Sequence, residues 1–131
     1  MANTMVPMLM FAGEADEAVS FYVSLFENSG VLSIEYYGPD EQGAEGSVKK
    51  ALFVVAGQQL LAIDSPVTHE FGFTPAISLF VECDSKAHFQ EASAKLSEGG
   101  TVLMPADNYG FSELFTWVND RFGVSWQLSV G

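Results

Sequence analysis

Cysteine, basic side chains and long apolar runs are what this sequence hardly has. Cys83 is the single cysteine, so no disulfide can form within the chain, and a reducing, cytoplasmic location is expected. No His or Lys stands beside Cys83 to lower its pKa, so at the end of an expected strand it reads as packing, not as a nucleophile. Five Lys and Arg stand against 17 Asp and Glu, a net charge of −12. A nucleic-acid binder displaces counterions with a basic stripe, and an anionic membrane surface attracts one. Five scattered cations supply neither, so the expectation is no nucleic acid and no membrane as partner, with the acidity serving solubility. No run reaches the roughly 18 apolar residues that cross a bilayer. The start, Met1-Ala2-Asn3-Thr4-Met5, lacks the charged region and small-residue cleavage pattern of a secretory signal. Histidine is scarce too: His69 stands beside Glu70, and His88 is one residue off a helical stripe. Neither has the convergent partners of a metal site. Nucleophile elbow, phosphate loop, paired-Cys and zinc-helix motifs are all missing.

What the chain does have is apolar side chains in periodic order. At 48% hydrophobic over 131 residues, with 11 Phe, 4 Tyr and 2 Trp, it can fill the core of one domain and is too apolar to be disordered. Residues 5–11 read as a short strand that Pro7, with no N–H to give a ladder, places at an edge. Gly13 ends it, and Glu14, Asp16 and Glu17 put negative charge where a helix dipole favours it. Ala15, Ala18, Val19, Tyr22, Leu25 and Phe26 make one helical stripe, which Asn28-Ser29-Gly30 stops. Residues 31–37 read as a strand and 38–46 as a loop. Residues 48–56 and 59–64 read as a hairpin around Gly57-Gln58. The pattern then restarts: a strand over 76–83, Asp84 as helix N-cap, and Phe89, Ala92 and Leu96 as a helical stripe ended by Gly99-Gly100. Strands over 101–104, 112–118 and 124–130 follow, with 119–123 as a hairpin loop. The class is α+β: a single domain, 1–131, of two βαβββ modules, 5–65 and 76–131, joined by a linker at 66–75.

Three segments in this order carry a resemblance. They are Pro7 to Tyr22 with its Gly13 and Ala-Asp-Glu-Ala-Val-Ser-Phe-Tyr, Lys95-Leu-Ser-Glu-Gly-Gly100, and Trp117-Val-Asn-Asp-Arg-Phe-Gly-Val-Ser-Trp-Gln-Leu128. Together they resemble the vicinal oxygen chelate (VOC) superfamily of glyoxalases, bleomycin resistance proteins and dioxygenases. The closer likeness is to its PhnB-like, demethylubiquinone methyltransferase-like branch. The resemblance implies curved mixed sheets around a small-molecule cleft, and a homodimer. Metal-dependent members hold a divalent ion with His, Glu or Gln on the first and last strands of each module, leaving positions open for a substrate's oxygens. Carried over, those positions fall near Pro7, at Ala62 or Asp64, at Ala76 or Ser78, and at Gln127. Pro7 and the alanines cannot coordinate, which leaves Asp64, Ser78 and Gln127. The methyltransferase name finds no support in the first strand-to-helix turn, Phe11-Ala12-Gly13-Glu14. It has one glycine, and acids where a nucleotide's charge would sit.

The function expected is small-molecule binding without a complete metal site and without a cofactor. The ligand-binding set is Asp64, Ser78, Gln127, Trp117 and Trp126. Asp64 ends an apolar strand, where its carboxylate would reach the cleft. Gln127 alternates with Trp126 and Leu128, sharing a face with Ser125 and Ser129. It is either an amide that orients a ligand or a solvated residue on a one-sided sheet. Trp117 and Trp126 are either core or cavity wall. Ser112, Glu113 and Asp107 read as solvated surface groups. Two other readings stand beside this one: a metal-dependent glyoxalase-, lyase- or dioxygenase-like enzyme with a reduced ligand set, and a dimeric structural protein without a ligand.

Overall fold

The computed structural model describes residues 3–131; Met1 and Ala2, and with them part of the N-terminal signal reading, lie outside the described residues. The elements are β1 (Met8–Phe11), α1 (Ala15–Val23), β2 (Gly30–Tyr36), β3 (Val48–Val55), β4 (Gln58–Asp64), β5 (Leu79–Glu82), α2 (Lys86–Ser97), β6 (Thr101–Asp107), β7 (Leu114–Asn119) and β8 (Ser125–Val130). They form two compact units, divided between His69 and Glu70. Each holds one helix and one four-stranded mixed sheet, the α+β class expected.

In the first unit the strand order is β1-β4-β3-β2. β1 lies parallel to β4, and the other neighbours are antiparallel. Burial alternates along β3 and β4: Ala51, Phe53 and Val55, with Leu60, Ala62 and Asp64, are buried, and the residues between them are more open. That buried face carries α1, whose Ala15, Ala18, Val19 and Tyr22 are likewise buried. Fully burying a side chain such as Phe53 is worth about 1.5–3 kcal/mol. The stripe on α1 and the period of two on the strands thus select the same face.

The β3–β4 turn sits one residue earlier than expected, at Ala56-Gly57, with φ +49° and +85°. Two successive positive φ values are what a two-residue type I′ hairpin requires. Ala56 is held there because its N–H donates to Ser29 Oγ at 2.9 Å and that of Gly57 to Asn28 O at 2.9 Å.

The second unit repeats the plan, with order β5-β8-β7-β6 and β5 parallel to β8. α2 packs on β7 and β8. Phe89, Ala92 and Leu96 are buried, as are Val118, Trp126 and Leu128. The helix cap is a correction: Ser85, not Asp84, is the N-cap, and its Oγ accepts from His88 N at 3.1 Å. Asp84 lies one residue too early for that bond and instead meets the His88 ring Nδ1 at 3.3 Å. β5 is also shorter than the strand expected over 76–83, beginning at Leu79.

Candidate functional site

The face of the second sheet turned away from α2 carries its polar side chains in register. Asn119 on β7 lies opposite Ser125 on β8, Trp117 opposite Gln127, and Phe115 opposite Ser129. On the far side of β8, Phe80 pairs with Gln127 and Glu82 with Ser129, and Ser78 stands just before β5. Four of these side chains are linked. Trp117 Nε1 donates to Ser125 Oγ at 2.8 Å, Ser125 Oγ and Ser78 Oγ share a hydrogen at 2.7 Å, and Gln127 Nε2 donates to Ser78 Oγ at 3.1 Å. Ser125 is 2% exposed and is tolerated there because both neighbours meet its oxygen. Three expected site residues, Ser78, Gln127 and Trp117, are therefore brought together. Ser125 joins them, and the sequence does not mark it as a site residue, because a lone serine in an alternating strand carries no signal of its own.

Two expected site residues do not join them. Trp126 points to the opposite face: it is fully buried, and its Nε1 donates to Asp120 Oδ2 at 2.9 Å. Period-two alternation places neighbours 126 and 127 on opposite faces, so both cannot line one site. Asp120, 3% exposed, also accepts Phe122 N at 2.8 Å and Val124 N at 3.0 Å through Oδ1. It is the staple of the β7–β8 turn, a role legible in Asp120-Arg121-Phe122-Gly123 as an Asx-type turn.

Asp64 belongs to the first unit, on the face that α1 covers, and is 2% exposed. Its Oδ1 accepts from Gly13 N at 2.8 Å and Ala15 N at 3.0 Å, and its Oδ2 from Val48 N at 2.9 Å. Glu14, the N-cap position of α1, makes no side-chain cap bond. Asp64 replaces that cap from across the sheet, placing a carboxylate on the free N–H groups of the helix start. The expectation of a ligand-facing carboxylate is thus corrected. Ala62 lies on the same covered face, so the open face of β4 presents Leu61 and Ile63 instead. Pro7 contributes a carbonyl, which accepts from Leu61 N at 2.9 Å.

These positions do not assemble the donor set of a divalent ion. Asp64 is committed to backbone N–H groups. Ser78 and Gln127 are uncharged and bonded to each other, where such ions are bound with carboxylate or imidazole. Among the described residues no three of His, Cys, Asp and Glu gather. His69 Nε2 lies 2.9 Å from Ser65 Oγ. Cys83 is buried, and its thiol is pushed up to about 11, first by burial and then by the charges of Asp84 and Glu82. It stays protonated at neutral pH, which fits the packing role expected of it.

Two βαβββ units, each with a helix on one face of a mixed sheet, define a vicinal oxygen chelate fold. A family model described as 3-demethylubiquinone-9 3-methyltransferase matches residues 3–129. The chain belongs to that family, the PhnB-like branch of the superfamily. It is similar to a PhnB protein from Bacillus cereus, at 44% identity and TM-score 0.95 over 98% of this chain and 100% of that one. A Pseudomonas aeruginosa protein matches at 29% identity and TM-score 0.85, covering 98% of each chain. The fosfomycin resistance protein FosX from Listeria monocytogenes, complexed with manganese(II) and sulfate, shares the fold at 11% identity. Its TM-score is 0.63, over 100% of this chain and 93% of that one. No curated protein matches the chain. The family description names a methyl transfer, and no specific activity follows from it. In this chain Gly13 N and Ala15 N, the donors with which the first strand-to-helix turn would hold a phosphate, are taken by Asp64.

Proposed function

We propose that this protein binds a small molecule on the open face of its second sheet, without a resident metal ion. The observation that carries this reading is the hydrogen-bonded chain Trp117–Ser125–Ser78–Gln127, an uncharged polar track set among the aromatic rings of Trp117 and Phe80. Binding sites combine a mainly apolar wall with a few polar groups that fix orientation. Phe80 is 56% exposed, more than a core aromatic would be. The setting that goes with this reading is a cytoplasmic homodimer, supported by the single cysteine, by the apolar side chains left exposed and by the family.

The test is a thermal-shift screen of small aromatic and antibiotic-like compounds on protein purified without added metal, with elemental analysis alongside. A ligand that prefers the native state must raise the apparent Tm. At least one stabilising compound is expected, with the shift reduced in Gln127→Ala, and no stoichiometric metal. Stoichiometric manganese, iron, zinc or nickel lost on Gln127→Ala would sink this reading in favour of a metal-dependent enzyme. A screen with no stabilising compound would favour a dimer without a ligand.

A further inference from the structure

We infer that Ser78 presents an outward-pointing hydroxyl donor on this face, and so selects an uncharged ligand bearing a carbonyl or similar acceptor on a flat apolar body. This rests on the binding site proposed above and names its ligand chemistry.

Ser125 Oγ has two partners, the Trp117 indole N–H and Ser78 Oγ. The indole can only donate. Ser125 is 2% exposed, so its own hydrogen must go to a protein acceptor or be lost at a cost. Ser78 Oγ is that acceptor. Ser78 also receives Gln127 Nε2–H. With both lone pairs filled, its hydrogen points away from Ser125 and Gln127, and because Ser78 is only half-buried a ligand on this face can meet it. The direction of the chain, Trp117 to Ser125 to Ser78 to ligand, is set by its buried end. Donors in series polarise one another, which sharpens the last of them.

The neighbours set the remaining chemistry. Phe80 and Trp117 flank Gln127 in one register line across the sheet, a surface for a flat ring. Glu82 stands opposite Ser129 in the next line. The cations of this unit, Lys86, Lys95 and Arg121, lie on α2 and in the β7–β8 turn, not on these strands. A carboxylate or phosphonate would meet a negative neighbour and no positive one, and a hydroxyl whose lone pairs are both filled offers nothing to an ammonium group, so the ligand is an uncharged acceptor.

Three probes test this by the ¹⁵N-¹H signals of the indole and side-chain amide groups: acetophenone, benzoate and benzylamine. Acetophenone is expected to move the Trp117 indole and Gln127 amide signals, and benzoate to leave them in place. The Trp126 indole, on the opposite face, should stay fixed and report that each variant is folded. Ser78→Ala should weaken acetophenone by about tenfold, the loss of one good hydrogen bond. Gln127→Glu should turn the Ser78 hydroxyl inward onto the new carboxylate. Acetophenone would then be lost and benzylamine gained. If acetophenone and benzoate move the signals alike and Ser78→Ala binds acetophenone unchanged, the donor role is overturned while the site stands. If none of the three moves the Trp117 or Gln127 signals, the site reading fails and the donor role with it.

Discussion

Asp64 commits both carboxylate oxygens to backbone N–H groups of Gly13, Ala15 and Val48. From the sequence it looked like a cleft-facing acid; its surroundings make it the cap of α1 and a clasp on the start of β3. The consequence is measurable. Asp64→Ala leaves three N–H groups without their acceptor, and a loss of about 3–5 kcal/mol in urea unfolding is expected. A typical domain holds only about 5–15 kcal/mol in all, so the variant should be near its folding threshold. An Asp64→Ala protein of unchanged midpoint would return the residue to the functional candidates. Asp120 is the counterpart in the second unit, with Phe122 N, Val124 N and the Trp126 indole as its donors. The turn sequence marks the role of Asp120, but nothing in the sequence marks that of Asp64. A buried carboxylate satisfied by backbone and one aimed at a ligand look alike in a string of letters.

At the scale of elements, much of the plan was legible. The stripe on α2 falls where expected and that on α1 does so as far as Tyr22, because burial on one face imposes a period of 3.6 on a helix; α1 ends at Val23, so Leu25 and Phe26 are buried from beyond it. The differences lie in turns, caps and element ends, as where β5 begins at Leu79 and α1 stops at Val23. The hairpin expected at Gly57-Gln58 sits at Ala56-Gly57, and the cap expected at Asp84 is Ser85. Gly57 drew the turn toward itself in the sequence, whereas alanine gives no hint of a left-handed backbone. That misfit predicts a gain: Ala56 holds φ +49°, a conformation costing any residue with a Cβ, so Ala56→Gly should stabilise by about 0.5–1 kcal/mol. The check is a higher urea midpoint at unchanged m-value. An unchanged or lower midpoint would mean that the freedom glycine adds to the unfolded chain offsets the relief of strain.

For the whole molecule, each sheet has one helix-covered face and edge strands that leave apolar side chains open. Val31 and Leu32 on β2, and Val102 and Leu103 on β6, are exposed. Exposed apolar edges are a liability in a lone subunit and ordinary in an assembly. They support the proposed homodimer. Light scattering should give twice the 14.2 kDa chain mass, and Leu32→Glu or Val102→Glu should shift it toward the monomer. A monomeric mass for the unaltered protein at micromolar concentration would refute the homodimer.

The sequence by itself determined the class and the two-module plan, which rest on periodicity and turn residues, and carried the resemblance to the family in the order of three segments. It also placed Ser78, Trp117 and Gln127 among the site candidates. Only the tertiary structure decided which candidates meet. Pairing across β5, β8 and β7 put Ser125 between Trp117 and Ser78, while the parity of β8 sent Trp126 to the helix side and the parity of β4 sent Asp64 there. A one-residue step in a strand turns a side chain to the opposite face, and the pairing that sets that step is made between residues far apart in the chain.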